Sequence, residues 1–429
     1  MKVGIYTLGC KVNTYESEYV ISLLEEKGYT ISSFDDICDI YIINTCTVTN
    51  QSDSKSRKII NQAIRRNTDA CVVAMGCFIE ANKDIKIDGV DIYIGNKDKS
   101  KIVDLIEEWF RKREEIRNLY FDLGTTFEDM EIKKIKEHTR AFVKIQDGCE
   151  NFCTYCIIPY VRGKCRSKDK STVIKEITEL VNNGYKEIVL TGIHTSNYGA
   201  DLDYSFADLL EELVKIEGLK HLRISSIEIT ELNDRVLELI KNNSIICNHL
   251  HIPLQAGSNH VLKMMNRKYD LEYFQNKIEI IRNIRPDISI STDIIVGFPG
   301  ETEEDFNSTL IFSKQIGFSK IHAFPYSVRY GTAASKFPNQ LDGTLKKERN
   351  HKLIELSNKL EIEYMNKFIN KEVEVLVEKN IDGYSYGHTS NYLLVKIEGD
   401  YLPNTFVKVK INEISYPYCL ALEEISIKM

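Results

Sequence analysis

The chain has 429 residues, 43% of them hydrophobic and 28% charged, with a formal net charge of −7. These proportions are ordinary for globular proteins and exclude a disordered, collagen-like or low-complexity polypeptide, while a usual domain size of about 150 residues points to roughly three domains. No run approaches the roughly 18 apolar residues of a spanning helix, and Met1-Lys2-Val3-Gly4-Ile5-Tyr6 lacks the basic-then-apolar layout of a secretory leader, so a cytoplasmic protein without a membrane partner is expected.

From Lys2 to about Arg113 short β-rich runs alternate with helical periods. Val3 to Leu8, Ile40 to Ile43, Cys71 to Met75 and Ile92 to Ile94 read as strands, with helices predicted from Glu16 to Lys27, Ser52 to Arg66 and Lys99 to Arg113. Such alternation implies an α/β domain with a parallel sheet, of Rossmann or flavodoxin type, over residues 1–113. A charged stretch, 114–134, is expected to be a linker. Over 135–366 the alternation restarts, with strands expected at Ala141–Ile145, Glu187–Leu190, Leu222–Ser225, Leu250–Ile252, Ser289–Ile295 and Lys320–Phe324. Six βα repeats fit a partial or full barrel better than an open sheet. A polar helix, about Lys346 to Phe368, leads to residues 370–429. There Val373, Val375 and Val377 alternate with Glu372, Glu374 and Glu378, and turns such as Asp382-Gly383 follow, which predicts a small antiparallel β-barrel.

Eleven cysteines without a secretory leader argue against a disulfide framework. Cys149, Cys153 and Cys156 follow the first barrel strand with C-x3-C-x2-C spacing, where barrel enzymes place their chemistry. Three thiolates can hold three irons of a [4Fe–4S] cluster and leave the fourth open, whereas electron-transfer clusters use four. An open iron can take S-adenosylmethionine (SAM). The alternative is zinc with Cys165 as fourth ligand, but structural zinc favours paired knuckles, which are missing here. Cys10, Cys46 and Cys77 lie far apart in sequence, yet each directly follows a predicted strand. On the carboxyl edge of a parallel sheet they can converge on a second site. Thr191-Gly192-Ile193-His194 and Asp293 to Thr302 also sit at strand ends; His194 reads equally as a substrate contact or a structural histidine. Net acidity hides two basic runs: Arg162, Lys164, Arg166, Lys168 and Lys170, and Lys55, Arg57, Lys58, Arg65 and Arg66. Each is a solvated face or a phosphate-binding one.

These motifs (Gly9-Cys10-Lys11-Val12-Asn13, Asn44-Thr45-Cys46-Thr47-Val48-Thr49, Met75-Gly76-Cys77, the Cys149/Cys153/Cys156 triplet and Asp293 to Thr302) resemble those of the radical SAM methylthiotransferase family along nearly the whole chain. Lys11-Val12-Asn13 is similar to the bacterial threonylcarbamoyladenosine subgroup. The resemblance implies an N-terminal methylthiotransferase domain, a partial (β/α)6 radical SAM barrel and a C-terminal RNA-binding TRAM barrel. It implies methylthiolation at C2 of N6-threonylcarbamoyladenosine next to the tRNA anticodon, using SAM and two [4Fe–4S] clusters. Cys10, Cys46 and Cys77 would bind the auxiliary cluster, and Cys149, Cys153 and Cys156 the SAM-cleaving one. Tyr155, Thr191, Gly192, Ser226, Gln255 and Gly297 would contact SAM, although Thr191-Gly192 departs from the family's Gly-Gly-Glu run. Arg162, Lys164, Arg166, Tyr384 and His388 would hold the tRNA anticodon stem-loop, and a flavodoxin- or ferredoxin-like protein would donate electrons. Rival readings are the same reaction on isopentenyladenosine or a ribosomal-protein aspartate, and a non-enzymatic RNA-binding protein with two metal sites.

Overall fold

The buried runs of the first third place apolar side chains on both faces of their strands, as a parallel sheet covered by helices requires. Every residue of Ile40–Thr45 and Cys71–Gly76 is buried. In the computed structural model, which describes residues 1–132 and 139–423, strands β1 (Lys2–Thr7), β2 (Thr30–Ser32), β3 (Ile40–Thr45), β4 (Cys71–Gly76), β5 (Ile92–Ile94) and β6 (Ile116–Asn118) form one parallel sheet in the order β2-β1-β3-β4-β5-β6. Ile40 and Ile42 face one core with Val20, Leu24, Ile106 and Trp109; Tyr41 and Ile43 face the other with Ile59, Ile60 and Phe78.

The sequence reading omits β2 and β6, two short edge strands among polar residues. Because β6 pairs with β5 from Ile92↔Ile116 to Ile94↔Asn118, the first domain runs past the boundary expected at Arg113. The stretch after it is not a free tether either. Met130 and Ile132 are buried in the barrel core, and Tyr15 and Lys168 both donate hydrogen bonds to the Met130 carbonyl. The expected junction at 134–135 and the last residues of the third domain, 424–429, lie outside the described residues.

The second domain contains β7 (Arg140–Lys144), the two-residue strands β8 (Gln146–Asp147) and β9 (Arg166–Ser167), β10 (Glu187–Thr191), β11 (His221–Ile224), β12 (His249–His251), β13 (Ser289–Val296) and β14 (Lys320–Pro325). Six of them run parallel in the groups β7-β10-β11 and β12-β13-β14, and Leu222 of β11 bridges to Ile246, three residues before β12. This is the expected partial barrel. Helix Lys11–Glu26 of the first domain packs against β7, and helix Gly343–Asn366 against β14.

The third domain is a closed five-stranded barrel of β15 (Glu372–Ile381), β16 (Tyr384–Thr389), β17 (Leu394–Glu398), β18 (Phe406–Ser415) and β19 (Tyr418–Glu423), ordered β15-β16-β17-β19-β18. Of the valines expected to face inward, Val375 and Val377 are fully buried and Val373 is half-buried, and Val395, Val409 and Ile411 are fully buried with them. One pairing departs from the antiparallel expectation: β17 and β19 run parallel. Among the described residues no helix is long and apolar enough to cross a membrane.

Candidate functional site

A cavity of about 700 Å³ opens where the three domains meet. Gly9, Cys10 and Lys11 come from the first domain, Thr191, Gly192 and Ser226 from barrel strand ends, and His388 and Tyr392 from the C-terminal barrel. Strand ends converge on this space because parallel strands present their carboxyl edges together.

The first cysteine triplet sits on that edge. Gly9 (φ +104°) turns the chain after β1 so tightly that a Cβ there would lie 3.0 Å from the Cys46 Cβ and 3.1 Å from its Sγ. Gly76 (φ +96°) does the same after β4, against the Asn44 Oδ1 at 2.6 Å. Only glycine accepts these approaches. Cys46 lies within electrostatic reach of both Cys77 and Cys10, so the three thiols share one locality. Burial pushes the Cys46 thiol up, and the Asn96 Nδ2 donates to the Cys77 Sγ at 3.4 Å. Metal ligation displaces the proton of such a buried thiol.

The second triplet occupies the loop between β8 and β9. Gly148 (φ +74°) starts it, and a Cβ there would come within 1.9 Å of the Lys164 carbonyl oxygen. The loop is pinned by Cys149 N–H to the Gly163 carbonyl (3.1 Å), Thr154 N–H to that of Met265 (3.1 Å) and Ala334 N–H to that of Thr154 (2.8 Å). Burial raises the Cys149 thiol to about 11 and that of Cys156 to about 12. Beside them lies a cation that sequence reasoning missed. Arg267 Nη1 donates to the Cys153 Sγ at 3.3 Å, Nη2 bonds Glu228, and Nε donates to the Tyr269 hydroxyl at 3.2 Å. Nothing in its local sequence marks Arg267 for this place, because Glu228 and Cys153 are 39 and 114 positions away. His194 Nδ1 is 4.0 Å from the Cys149 Sγ; its buried Nε2 has no hydrogen-bond partner, and burial lowers its pKa.

These donor sets fit a cluster better than a single ion. Tetrahedral zinc, with bonds of about 2.3 Å, gathers sulfurs to within about 4 Å of one another. Among the described residues, the trios with all ligand atoms within 4.8 Å are Glu187, His221, Cys247 and His251, Asp293, His322; neither cysteine triplet is one of them. A cube of irons takes one thiolate per iron and spreads them wider. Cys165 does not complete a zinc site: its sulfur accepts from Gln146 Nε2 (3.2 Å) and Asn197 Nδ2 (3.3 Å).

Of the expected SAM contacts, Thr191, Gly192 and Ser226 line the cavity. A Cβ on Gly192 would press on Gln146 at 3.1 Å. Tyr155 is half-buried against the barrel core, next to Arg267. Gln255 and Gly297 are off the cavity wall. Gln255 (φ +69°) ties β12 to β13, its N–H donating to the Asp293 carbonyl and its own carbonyl accepting from Ile295, both at 2.8 Å. Gly297 N–H donates to Glu301 Oε1 (2.9 Å), and a Cβ there would meet Lys346 Cγ at 2.4 Å. Its glycine therefore serves a packed turn.

The expected RNA contacts divide. Arg162 is fully buried, which corrects its assignment to phosphate: Nη1 donates to Glu16 (2.9 Å) and Asp147 (3.1 Å), and Nη2 to Asn13 Oδ1 (2.8 Å). Arg166 is buried as well, its Nη2 donating to the Arg162 carbonyl at 2.8 Å. A charge already desolvated and paired is closed to RNA. Lys164 between them is exposed. Tyr384 is exposed away from the cavity, with the Lys396 Nζ 3.8 Å above its ring. His388 lies on the cavity wall, bonded to Glu378 Oε1 at 2.8 Å, with its ring tilted 31° from that of Tyr392 at 4.7 Å between centroids. Tyr392 also stacks on His249, with 4.9 Å between ring centroids.

Residues 143–312 match the model of the Radical SAM superfamily, and residues 2–95 that of the uncharacterized protein family UPF0004. The chain is 44% identical over 427 residues to the threonylcarbamoyladenosine tRNA methylthiotransferase MtaB of Bacillus subtilis (strain 168), which covers 97% of this chain and 95% of that one. The protein of the same name from Aquifex aeolicus (strain VF5) is 42% identical, covering 93% and 97%. A tRNA-2-methylthio-N(6)-dimethylallyladenosine synthase of Thermoanaerobacter pseudethanolicus is 38% identical, covering 87% and 81%. Among solved structures, the radical S-adenosylmethionine methyltransferase TsrM of Kitasatospora setae shares the fold at 14% identity, with a TM-score of 0.56 over 75% of this chain and 72% of that one. With such relatives along its whole length, and a first-domain and a barrel-domain cysteine triplet in the matched regions, the chain belongs to the radical SAM methylthiotransferase family.

Proposed function

We propose that this enzyme transfers a methylthio group to C2 of N6-threonylcarbamoyladenosine, at the adenosine immediately 3′ of the anticodon in tRNA. The observation that carries the reading is the cavity itself, which has Cys10 on one wall, SAM-side strand ends on another and the C-terminal barrel on a third. The relatives at 44% and 42% identity are named for this reaction. Membership of the radical SAM superfamily implies a [4Fe–4S] cluster and SAM. Cys149, Cys153 and Cys156 would hold that cluster, and Cys10, Cys46 and Cys77 a second one. When bound, these groups supply the radical that takes the unactivated C2 hydrogen, beyond the reach of any side-chain base, and the sulfur that replaces it.

The chain's own residues prepare the space. Thr191, Gly192 and Ser226 offer hydroxyl and backbone groups at the strand ends. Tyr155 packs on the barrel core between Cys153 and Cys156 in sequence, and Arg267, fixed by Glu228 and Tyr269, places a permanent cation on Cys153. For the anticodon stem-loop, Lys164, Tyr384 and His388 remain as contacts. The exposed Lys55, Arg57 and Lys58 on helix Asn50–Arg66 join them. A flavodoxin- or ferredoxin-like protein would be the reductant.

Mass spectrometry of tRNA nucleosides from a deletion strain tests the reading. The 2-methylthio form of threonylcarbamoyladenosine should vanish and its precursor accumulate. Loss of the isopentenyl counterpart instead would assign the enzyme to the other reaction named among its relatives, and an unchanged nucleoside pool would remove the tRNA substrate altogether.

A further inference from the structure

We infer that Lys11 is the receptor for the carboxylate carried on N6 of the substrate base; this rests on the substrate proposed above. Lys11 follows Cys10 at the first position of helix Lys11–Glu26 and lines the cavity. The other charged or titratable side chains on that wall have partners. Lys320 pairs with Glu361, His388 with Glu378, His251 with Asp293 (3.3 Å), and His249 with the Ser291 hydroxyl (3.0 Å). His322 packs its ring 5.6 Å from that of His251. Lys11 has no carboxylate within 4.0 Å and no hydrogen-bond partner among the described residues.

Its surroundings leave that charge uncompensated, because the two arginines near it act more strongly on it than Glu187 does. Arg223 and Arg140 act electrostatically on Lys11, and both lie over the Tyr392 ring, at 4.7 and 5.4 Å. The nearby anions are taken. Glu187 bonds Arg223 Nε at 2.7 Å and the His221 Nδ1 at 3.0 Å, and Glu378 is shared between Arg140 (3.4 Å) and His388 (2.8 Å). A half-buried ammonium with no counter-charge is costly to keep and calls for an anion from outside the chain.

The proposed substrate brings one. C2 and C6 of adenine flank N1 on the same six-membered ring, so a base presenting C2 toward Cys10 directs its N6 substituent along that side of the cavity, beside the next residue. The threonylcarbamoyl group ends in a carboxylate, which an ammonium matches. An isopentenyl group would leave Lys11 desolvated and unpaired, and a site built to bond a charged group rejects the analogue that lacks it.

The test is equilibrium binding of anaerobically reconstituted, unreduced full-length enzyme to anticodon stem-loops that differ only at N6: threonylcarbamoyl, its methyl ester, and isopentenyl. The wild type should prefer the free acid to the ester by about tenfold or more, the usual scale of a charge-assisted hydrogen bond. Lys11→Gln should bring that ratio close to one with iron content unchanged, and Lys11→Arg should keep it; if Lys11→Gln takes up less iron, Lys11→Met is measured in its place. A wild-type ratio retained in the neutral variant, or equal weakening for acid and ester, overturns the inference; the second result assigns the charge to the cluster or the RNA backbone. A wild type indifferent between acid and ester overturns it too, while leaving the substrate to the nucleoside analysis. A wild type that prefers isopentenyl RNA overturns both readings.

Discussion

Gly148 governs the closure of the SAM-side cysteine loop. At φ +74°, with a would-be Cβ 1.9 Å from the Lys164 carbonyl, it has no room for any side chain. Gly148→Ala should force the β8–β9 connection apart and cost about 2 kcal/mol or more. The measurements are a melting curve and iron uptake on reconstitution; wild-type values for both would show that the loop yields. The cysteines themselves give a second prediction. Replacing Cys149, Cys153 and Cys156 with Ala should leave about half the iron and abolish SAM cleavage. Replacing Cys10, Cys46 and Cys77 should spare reductive SAM cleavage but stop methylthio transfer, provided circular dichroism shows that the first domain still folds. A folded protein of the latter kind that still methylthiolates tRNA would remove the auxiliary triplet from the reaction.

Between elements, a buried ion network lies at the junction of the first two domains. Glu16, on helix Lys11–Glu26, contacts Lys99 (2.8 Å), Lys144 (2.8 Å) and Arg162 (2.9 Å), and Asp147 shares the last two at 2.7 and 3.1 Å. Burial alone would raise the Glu16 carboxyl, but Arg162, Lys144 and Lys99 together hold it well below the usual carboxylate range. Asp147 is lowered in the same way. A depressed folded-state pKa adds stability that is fully present above the unfolded value of about 4 and is lost as pH falls below it, because the unfolded chain takes up the proton first. Denaturant midpoints should therefore drop between about pH 5 and pH 3. Glu16→Gln should lower stability by about 3 kcal/mol or more at neutral pH and flatten that acid slope; an unchanged slope would mean that other carboxylates carry the acid response. This network also marks the limit of the sequence reading. The main strands were legible because Ile40 to Ile43 and Cys71 to Met75 carry their own β pattern, and the cysteine triplets because each follows such a run. Arg162 was not, since the Glu16 that buries it lies 146 residues away. The three-residue edge strands β2 and β6 have too few apolar side chains to show a period.

At the scale of the whole molecule, a net charge of −7 must still admit a polyanion, so RNA affinity has to come from exposed local charge. With Arg162, Arg166 and Lys168 buried, the second basic run contributes chiefly Lys164 and the half-buried Lys170. The first run keeps Lys55, Arg57 and Lys58 exposed on helix Asn50–Arg66. That helix is held to the end of the barrel domain by Arg329, which donates to Asp53 Oδ2 (2.8 Å), Asn50 Oδ1 (2.9 Å) and Thr47 Oγ1 (2.6 Å). Its basic face is thus carried on the same rigid frame as Cys46, which lies next to Thr47. Replacing Lys55, Arg57, Lys58 and Lys164 with Ala should leave the melting temperature nearly unchanged, because exposed charges contribute little to folding. It should reduce the steepness of log K against log salt for anticodon stem-loop binding by roughly 0.7 per lost single-strand phosphate contact. Arg162→Ala should do the opposite, leaving Glu16 and Asp147 buried without their main counter-charge and lowering the melting temperature rather than the salt slope. A slope unmoved by the fourfold change would transfer the RNA-binding face to the C-terminal barrel, where the half-buried Lys396 over the exposed Tyr384 ring is the pair to alter next.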